Sequence, residues 1–248
     1  MSSDLGTRLG IQSWCFRAFK THEQVIGALA GCKVDKIELS VAHLDPGKEP
    51  DMAGVLDVYR KAGVTVSSYG VFGIGEDEAA ARPVFEFAKL ADIPVLSADI
   101  RPGGLEVAER LCTEYGKKIA IHNHGRRHRL GPVWALQELF DKSSDNVGLC
   151  LDTAWMIDSG EDAVKVARQF ADRLYGVHLK DFVFDRAGKP EDVVVGEGNL
   201  DLPAMLAFLI EMGFDGYFTL EYEGDVDNPT PAVAACVEAI RKTLKSLG

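Results

Sequence analysis

Eight times along the chain a short apolar run with strand character is followed by a longer stretch that carries helix signals. This alternation constrains the fold most, because strands joined by helical crossovers lie parallel in a sheet covered on both faces. The strand runs fall at residues 8–14, 35–40, 64–69, 94–99, 118–123, 147–152, 174–180 and 217–221. Between them, Thr21 and Gln24 form a capping box opening a helix that runs to about residue 31. Further helices are predicted over 52–62, ended by Gly63, over 76–90 despite Pro83, and over 105–115, stopped by Gly116. The rest cover 132–140, 162–173, a stretch from Asp201 with Pro203 near its start, and 231–247. A long polar loop is predicted from the seventh strand to Gly198. Eight such units, spaced roughly 30 residues apart with no linker, predict the α/β class and a single (β/α)8 barrel, residues 1–248 forming one domain. A doubly wound open sheet is the alternative, but no Gly-rich phosphate loop follows the first strand.

Catalytic groups of such a barrel sit at the carboxyl ends of its strands. The fifth strand ends in Ile119-Ala-Ile-His-Asn-His-Gly-Arg-Arg-His-Arg129, which holds three of the chain's six histidines. Alternation in a strand aims His122 and His124 to one face and Asn123 to the other, toward the helices. Polar residues close the next three strands as well: Asp152, His178 and Glu221. On the same parity one layer down lie Ala120, Cys150, Gly176 and Thr219, small residues that leave room above them. Each polar residue has a bland reading: Asp152 as the N-cap of the next turn, His178 as a satisfied core histidine, Glu221 as a solvated strand end. Four in phase on neighbouring strands point instead to a cage for one divalent ion, with Mn²⁺ favoured and Co²⁺, Mg²⁺, Fe²⁺ or Zn²⁺ as alternatives for mixed N/O ligands.

Composition excludes several other classes. No apolar run approaches the ~18 residues of a membrane span, and residues 1–10 lack the apolar segment of a secretory signal. Five cysteines without a CxxC pair suit reduced thiols and a cytoplasmic setting. A net charge of −11 disfavours a nucleic-acid surface, which needs clustered Lys and Arg. The expected partner is a small carbohydrate, and a homo-oligomer is left open. The local exception in charge is Arg126, Arg127 and Arg129; with His128 this group is suited to an anionic or strongly hydrogen-bonding part of a substrate. Pairing with loop carboxylates such as Asp225 or Asp227 is the structural alternative.

The chain resembles the sugar phosphate isomerase/epimerase group, the xylose isomerase-like TIM barrels that include keto-sugar 3-epimerases, hydroxypyruvate isomerase and inosose dehydratase. The matching words are Lys36-Ile-Glu-Leu39, Asn123-His-Gly125, Leu151-Asp-Thr153, His178-Leu-Lys-Asp181 and Leu220-Glu-Tyr-Glu223, which span nearly the whole barrel. The resemblance implies Asp152, His178 and Glu221 as metal ligands, with Lys180 and Glu38 facing the substrate or supporting the ligands. It also marks Gly196-Glu-Gly-Asn-Leu200 as a loop that shapes the pocket. Trp14 and Phe16 stand at the same rim, where Trp14 is a candidate substrate contact; Cys15 reads as packing, and Glu223 and Asp225 as solvated loop charges.

Two departures bear on the reaction. His122 stands where many members of the group have glutamate, which lowers the ligand charge from about −3 to −2 and leaves a stronger Lewis acid. Trp155 stands where many have histidine and offers an apolar wall for a sugar ring. With His122 as fourth ligand, Glu221 is the expected base and His124 or Lys180 the expected acid. The leading expectation is an isomerase or epimerase of an α-hydroxyketone acting through an enediolate. A lyase or dehydratase of a keto-sugar, keto-glycoside or inosose is the alternative, and inosose dehydratases resemble this chain in having histidines at the fifth-strand end. A non-catalytic sugar-binding barrel and a phosphodiesterase related to endonuclease IV are further readings; the second is disfavoured by Trp155 and the acidic surface.

Overall fold

Local chemistry sets the first helix. Gln24 N–H donates to Thr21 Oγ1 and Thr21 N–H donates to Gln24 Oε1, so the predicted capping box opens α2, His22–Gly31. The computed structural model describes residues 5–248; residues 1–4, part of the N-terminal stretch read above, lie outside the described residues. A short helix α1, Leu5–Arg8, precedes β1, Leu9–Gln12. After α2 come β2 (Lys36–Leu39), α3 (Met52–Lys61), β3 (Thr65–Tyr69), β4 (Phe72–Ile74), α4 (Glu78–Leu90), β5 (Val95–Ile100) and α5 (Gly104–Tyr115). Then follow β6 (Lys118–His122), α6 (Val133–Asp141), β7 (Val147–Asp152), α7 (Thr153–Asp158), α8 (Ala163–Gln169), β8 (Leu174–Leu179), β9 (Phe182–Phe184) and β10 (Pro190–Asp192). Helix α9 (Leu202–Glu211), β11 (Tyr217–Leu220) and α10 (Thr230–Leu247) complete the chain.

Nine parallel strands run in the order β3-β2-β1-β11-β8-β7-β6-β5-β4. The ends of that order, β3 and β4, are consecutive in the chain, so the sheet curls into one (β/α)8 barrel whose third stave is broken at Gly70-Val71. Ser68 Oγ donates to Val95 O across the seam. Gly70 is required there, because a Cβ would run into Ser97 O. Outward strand residues such as Ile11, Ile119, Ile121, Leu149, Leu151, Val177 and Leu220 are fully buried under the helices. Each contributes about 1.5–3 kcal/mol relative to exposure.

The barrel interior differs from the expectation of open space above small residues. Ala120 and Cys150 do face inward, but Tyr217 packs with them, and its ring fills the space beside Gly176, where a Cβ could not fit. The barrel is therefore plugged low down, and the cavity beside the four convergent side chains lies at the carboxyl ends of the strands. The sequence reading lacked helix α1, the break of the third stave, the short helix α7 and the antiparallel β9–β10 hairpin within the polar loop. Asp181 winds the loop after that hairpin around its carboxylate, accepting N–H bonds from Gly196, Gly198, Asn199 and Leu200 at 2.8–2.9 Å.

Candidate metal centre and its cavity

Strands β6, β7, β8 and β11 are neighbours, with Asp152 in register with His178, and His178 with Thr219. Their ends bring His122, Asp152, His178 and Glu221 together, all buried, each offering one donor atom within 4.8 Å of the others. His122 Nε2 lies 3.4 Å from Asp152 Oδ2 and 3.9 Å from Glu221 Oε2, and His178 Nδ1 lies 3.4 Å from Glu221 Oε2.

Each side chain is aimed by a specific contact. Asp152 does cap α7, since Oδ1 accepts from Trp155 N at 2.8 Å, yet Oδ2 has no hydrogen-bond partner. The bland and the functional readings thus each hold one oxygen. Asn123 does not point to the helices as parity suggests. Its side chain pairs with both backbone groups of Asp152, at 2.8 and 3.0 Å, and fixes the end of β7. Thr153 Oγ1 donates to Lys180 O at 2.6 Å and accepts from Lys180 N at 3.0 Å, joining the ends of β7 and β8. Glu38, expected at the substrate or behind the ligands, takes the second place: fully buried, it accepts from His178 Nε2 at 2.7 Å. That bond puts the proton on Nε2 and leaves Nδ1 as a lone pair facing the cluster, as an outer carboxylate does for a metal-bound imidazole.

The cluster fits a divalent ion. Both nitrogens of His122, Asp152 Oδ2 and His178 Nδ1 are buried without hydrogen-bond partners, and an unsatisfied buried polar atom costs about 1–3 kcal/mol. Two imidazoles and two carboxylates balance a 2+ charge and suit the mixed-ligand metals. Without an ion the groups compete for protons. Burial would lower the His122 imidazole, but Asp152 and Glu221 outweigh it and hold it at about 10. His178 is raised against burial by its acidic neighbours, Glu38 among them. Glu221 is held well below the usual carboxylate range, because Lys180 and the two imidazoles outweigh the effect of burial.

Above the cluster is a cavity of about 340 Å³, walled by residues that include Gln12, Trp14, Ser40, His122, His124, Trp155, Glu221 and Glu223. Lys180 is almost fully buried, with Nζ 3.7 Å from Glu221 Oε2, paired to Glu223 and 4.0 Å from Asp192 Oδ1. Burial would lower the ammonium, but these carboxylates and Asp152 raise it, so it stays charged. Glu223 is not a solvated loop charge: it holds Lys180 and accepts from Trp14 Nε1 at 3.1 Å. Its i+2 spacing from Glu221 was a signal in the sequence. Asp192, pushed up to about 6 by burial, comes from the β9–β10 hairpin, where no sequence pattern marked it. Cys15 is buried packing, as expected.

His124 and Trp155 also border a second chamber of about 590 Å³, with Arg126, Arg127, His128, Asp158, Gly188 and Lys189 in its wall. The arginines do not pair with Asp225 or Asp227. Arg126 bonds Asp158 at 2.9 Å and donates to Gly188 O at 2.5 Å; Arg129 bonds Asp99 at 2.7 Å. Asp99, His124 and His128 form a second cluster of donor atoms. Arg129 already neutralises its carboxylate, and Leu130 N–H donates to His128 Nδ1 at 3.2 Å. The proton of a neutral His128 then sits on Nε2, so this cluster suits an ion poorly. Burial, then the charges of His122 and His128, lower His124 to about 3 and keep it neutral.

The profile of the xylose isomerase-like TIM barrel family matches residues 103–243, and the chain belongs to that family. It is 30% identical over 164 residues to the inosose dehydratase of Clostridium perfringens, an alignment covering 57% of this chain and 51% of that protein. The chain spans about half the length of the curated relatives it matches. Among solved structures, the fold is shared with an IOLI protein carrying a bound zinc atom, at TM-score 0.76 and 15% identity over 97% of this chain and 99% of that one. It is shared equally with an L-ribulose 3-epimerase, at TM-score 0.76 and 18% identity over 96% and 95%. Among the described residues no helix is long and apolar enough to cross a membrane.

Proposed function

We propose that the protein is a divalent-metal-dependent carbohydrate enzyme that removes the proton beside a ketone and expels a β-hydroxyl, a dehydratase of the inosose type. The observation that carries the metal-dependent reading is the convergence of four buried donor atoms, three of them without partners, at the mouth of the barrel. His122, Asp152, His178 and Glu221 would hold the ion, Mn²⁺ first in order and Zn²⁺ next. When bound it would supply Lewis acidity to the substrate's carbonyl oxygen.

This chain's residues do the rest. Glu221, in the cavity wall, takes the proton from carbon. Lys180, kept charged by four carboxylates, gives a proton to the departing hydroxyl, which leaves as water. His124, neutral, holds a hydroxyl by hydrogen bond, and Trp14 and Trp155 wall the ring. A carboxylate base beside an ammonium acid suits proton removal and hydroxyl loss, and the curated relatives named inosose dehydratase support the same outcome. Isomerisation or epimerisation is the second reading, supported by Glu223 as a second carboxylate on the cavity wall. The substrate would be a small carbohydrate, residues 1–248 would act as one domain, and five buried free thiols favour a reducing cytoplasm.

Metal-loaded protein incubated with inososes, keto-sugars and keto-glycosides in heavy water tests the reading. Loss of one water is expected, with deuterium on the carbon that lost the hydroxyl once the enol product tautomerises to the diketone. Deuterium without water loss selects the second reading, and neither event with any substrate removes both.

A further inference from the structure

We propose that the substrate carries an anionic group beyond its reacting ketone, a carboxylate or a phosphate, and that Arg127 and Lys189 hold it in the chamber next to the metal cluster. The inference rests on the carbohydrate reading of the adjoining site. Two chambers have His124 and Trp155 in both linings, so a molecule in the first, of about 340 Å³, lies beside the second, of about 590 Å³. One sugar-sized ring leaves the second chamber unfilled, and its volume falls within the roughly 300–1,000 Å³ of small-molecule sites.

The wall of that second chamber has the opposite sign to the rest of the protein. The chain carries a net charge of −11, yet Arg126, Arg127 and Lys189 face a single carboxylate there, Asp158. Asp158 is consumed by Arg126, accepting from its guanidinium at 2.9 Å and from its backbone N–H at 2.9 Å. Several other arginines have acidic partners: Arg82 has Glu78 and Glu114, Arg129 has Asp99, and Arg168 has Glu211, while Arg8, Arg17 and Arg241 donate to backbone carbonyls. Among the described residues the side chains of Arg127 and Lys189 form no ion pair and no hydrogen bond, although acidic residues outnumber basic ones in the chain by 38 to 27.

Arg126 explains how two unpaired cations are kept on one wall. Its guanidinium donates to Gly188 O and so ties the loop after β6, which carries Arg127, to the turn of the β9–β10 hairpin, which carries Lys189. Arg126 is thus a positioning residue. A guanidinium with a nearby ammonium suits a carboxylate or phosphate through charge-assisted hydrogen bonds. Because both cations are exposed, the selectivity should be moderate and sensitive to salt.

Calorimetric titration of the metal-loaded full chain with D-glucose, D-glucuronate and D-glucose 6-phosphate tests this without turnover, so it can fail independently of the proposed reaction. At low salt at least one acid should bind about tenfold tighter than glucose, and the preference should vanish in the Arg127→Ala/Lys189→Ala double variant. The better acid identifies carboxylate or phosphate as the group. Equal affinities for all three sugars overturn the proposal. So does a preference that survives in the double variant, which would put the anion on the metal ion instead.

Discussion

Two clusters of histidine and carboxylate share the mouth of the barrel, and the rings of His122 and His124, one from each, lie 4.9 Å apart. In composition they are alike, but in environment they are opposite. His122, Asp152, His178 and Glu221 are buried, and most of their inward donor atoms lack partners. Asp99, His124 and His128 are partly open to water, and Arg129 and the Leu130 N–H already satisfy the carboxylate and one imidazole. The comparison teaches that donor identity and proximity do not define a metal site; unsatisfied, desolvated donors whose charge nothing else cancels do.

The largest expected effect would break the comparison outright. Asp152→Asn keeps an N-cap for α7, since asparagine caps as well as aspartate, but removes a ligand charge. Metal affinity should fall by roughly a hundredfold or more, at or beyond the upper end of what outer-shell partners command, while Asp99→Asn leaves one ion per chain. Equal losses in elemental analysis would make the two clusters equivalent.

Metal uptake should also depend on pH. His122 is protonated below about 10 in the metal-free site, so an ion must displace that proton. Apparent affinity should therefore rise with pH through neutrality toward 10, by up to about tenfold per unit for each proton displaced. Proton release measured in buffers of different ionisation enthalpy checks this, and pH-independent uptake would refute it. The transition lies above the ~6.5 of a free imidazole because Asp152 and Glu221 hold the proton. His124, neutral above about 3, contributes no such dependence.

Removing the carboxylate behind a ligand should cost less than removing a ligand. Glu38→Gln is expected to weaken metal binding about ten- to hundredfold, read by competition with a chelator. His122→Glu should keep the ion, because it supplies an anionic ligand at the same place, and lower turnover, because the ion becomes a weaker Lewis acid; loss of the ion would show that the position tolerates only imidazole. Smallest is Arg129→Ala in the satisfied cluster. The pair is partly exposed, so a stability change of about 0–1 kcal/mol is expected, with metal stoichiometry unchanged, checked by thermal melts and elemental analysis.

What the sequence determined by itself was what depends on neighbours in the chain. Strand alternation, the capping box of Thr21 and Gln24, the stop at Gly116 and the parity of His122, Asp152, His178 and Glu221 follow from local geometry with fixed periods. These placed the eight units and the four convergent side chains. The third stave's break, helix α7 and the β9–β10 hairpin escaped because elements this short carry fewer than two periods of pattern, too few for periodicity to show. Only the tertiary structure decided the roles of Glu38, Glu223, Asp192 and Asp158. Each meets its partner across a long stretch of chain: Glu38 with His178, Glu223 with Lys180, Asp192 with Glu223, Asp158 with Arg126. Closing the ring creates those pairings, and burial then makes them strong: the same carboxylates in water would be ordinary surface charges.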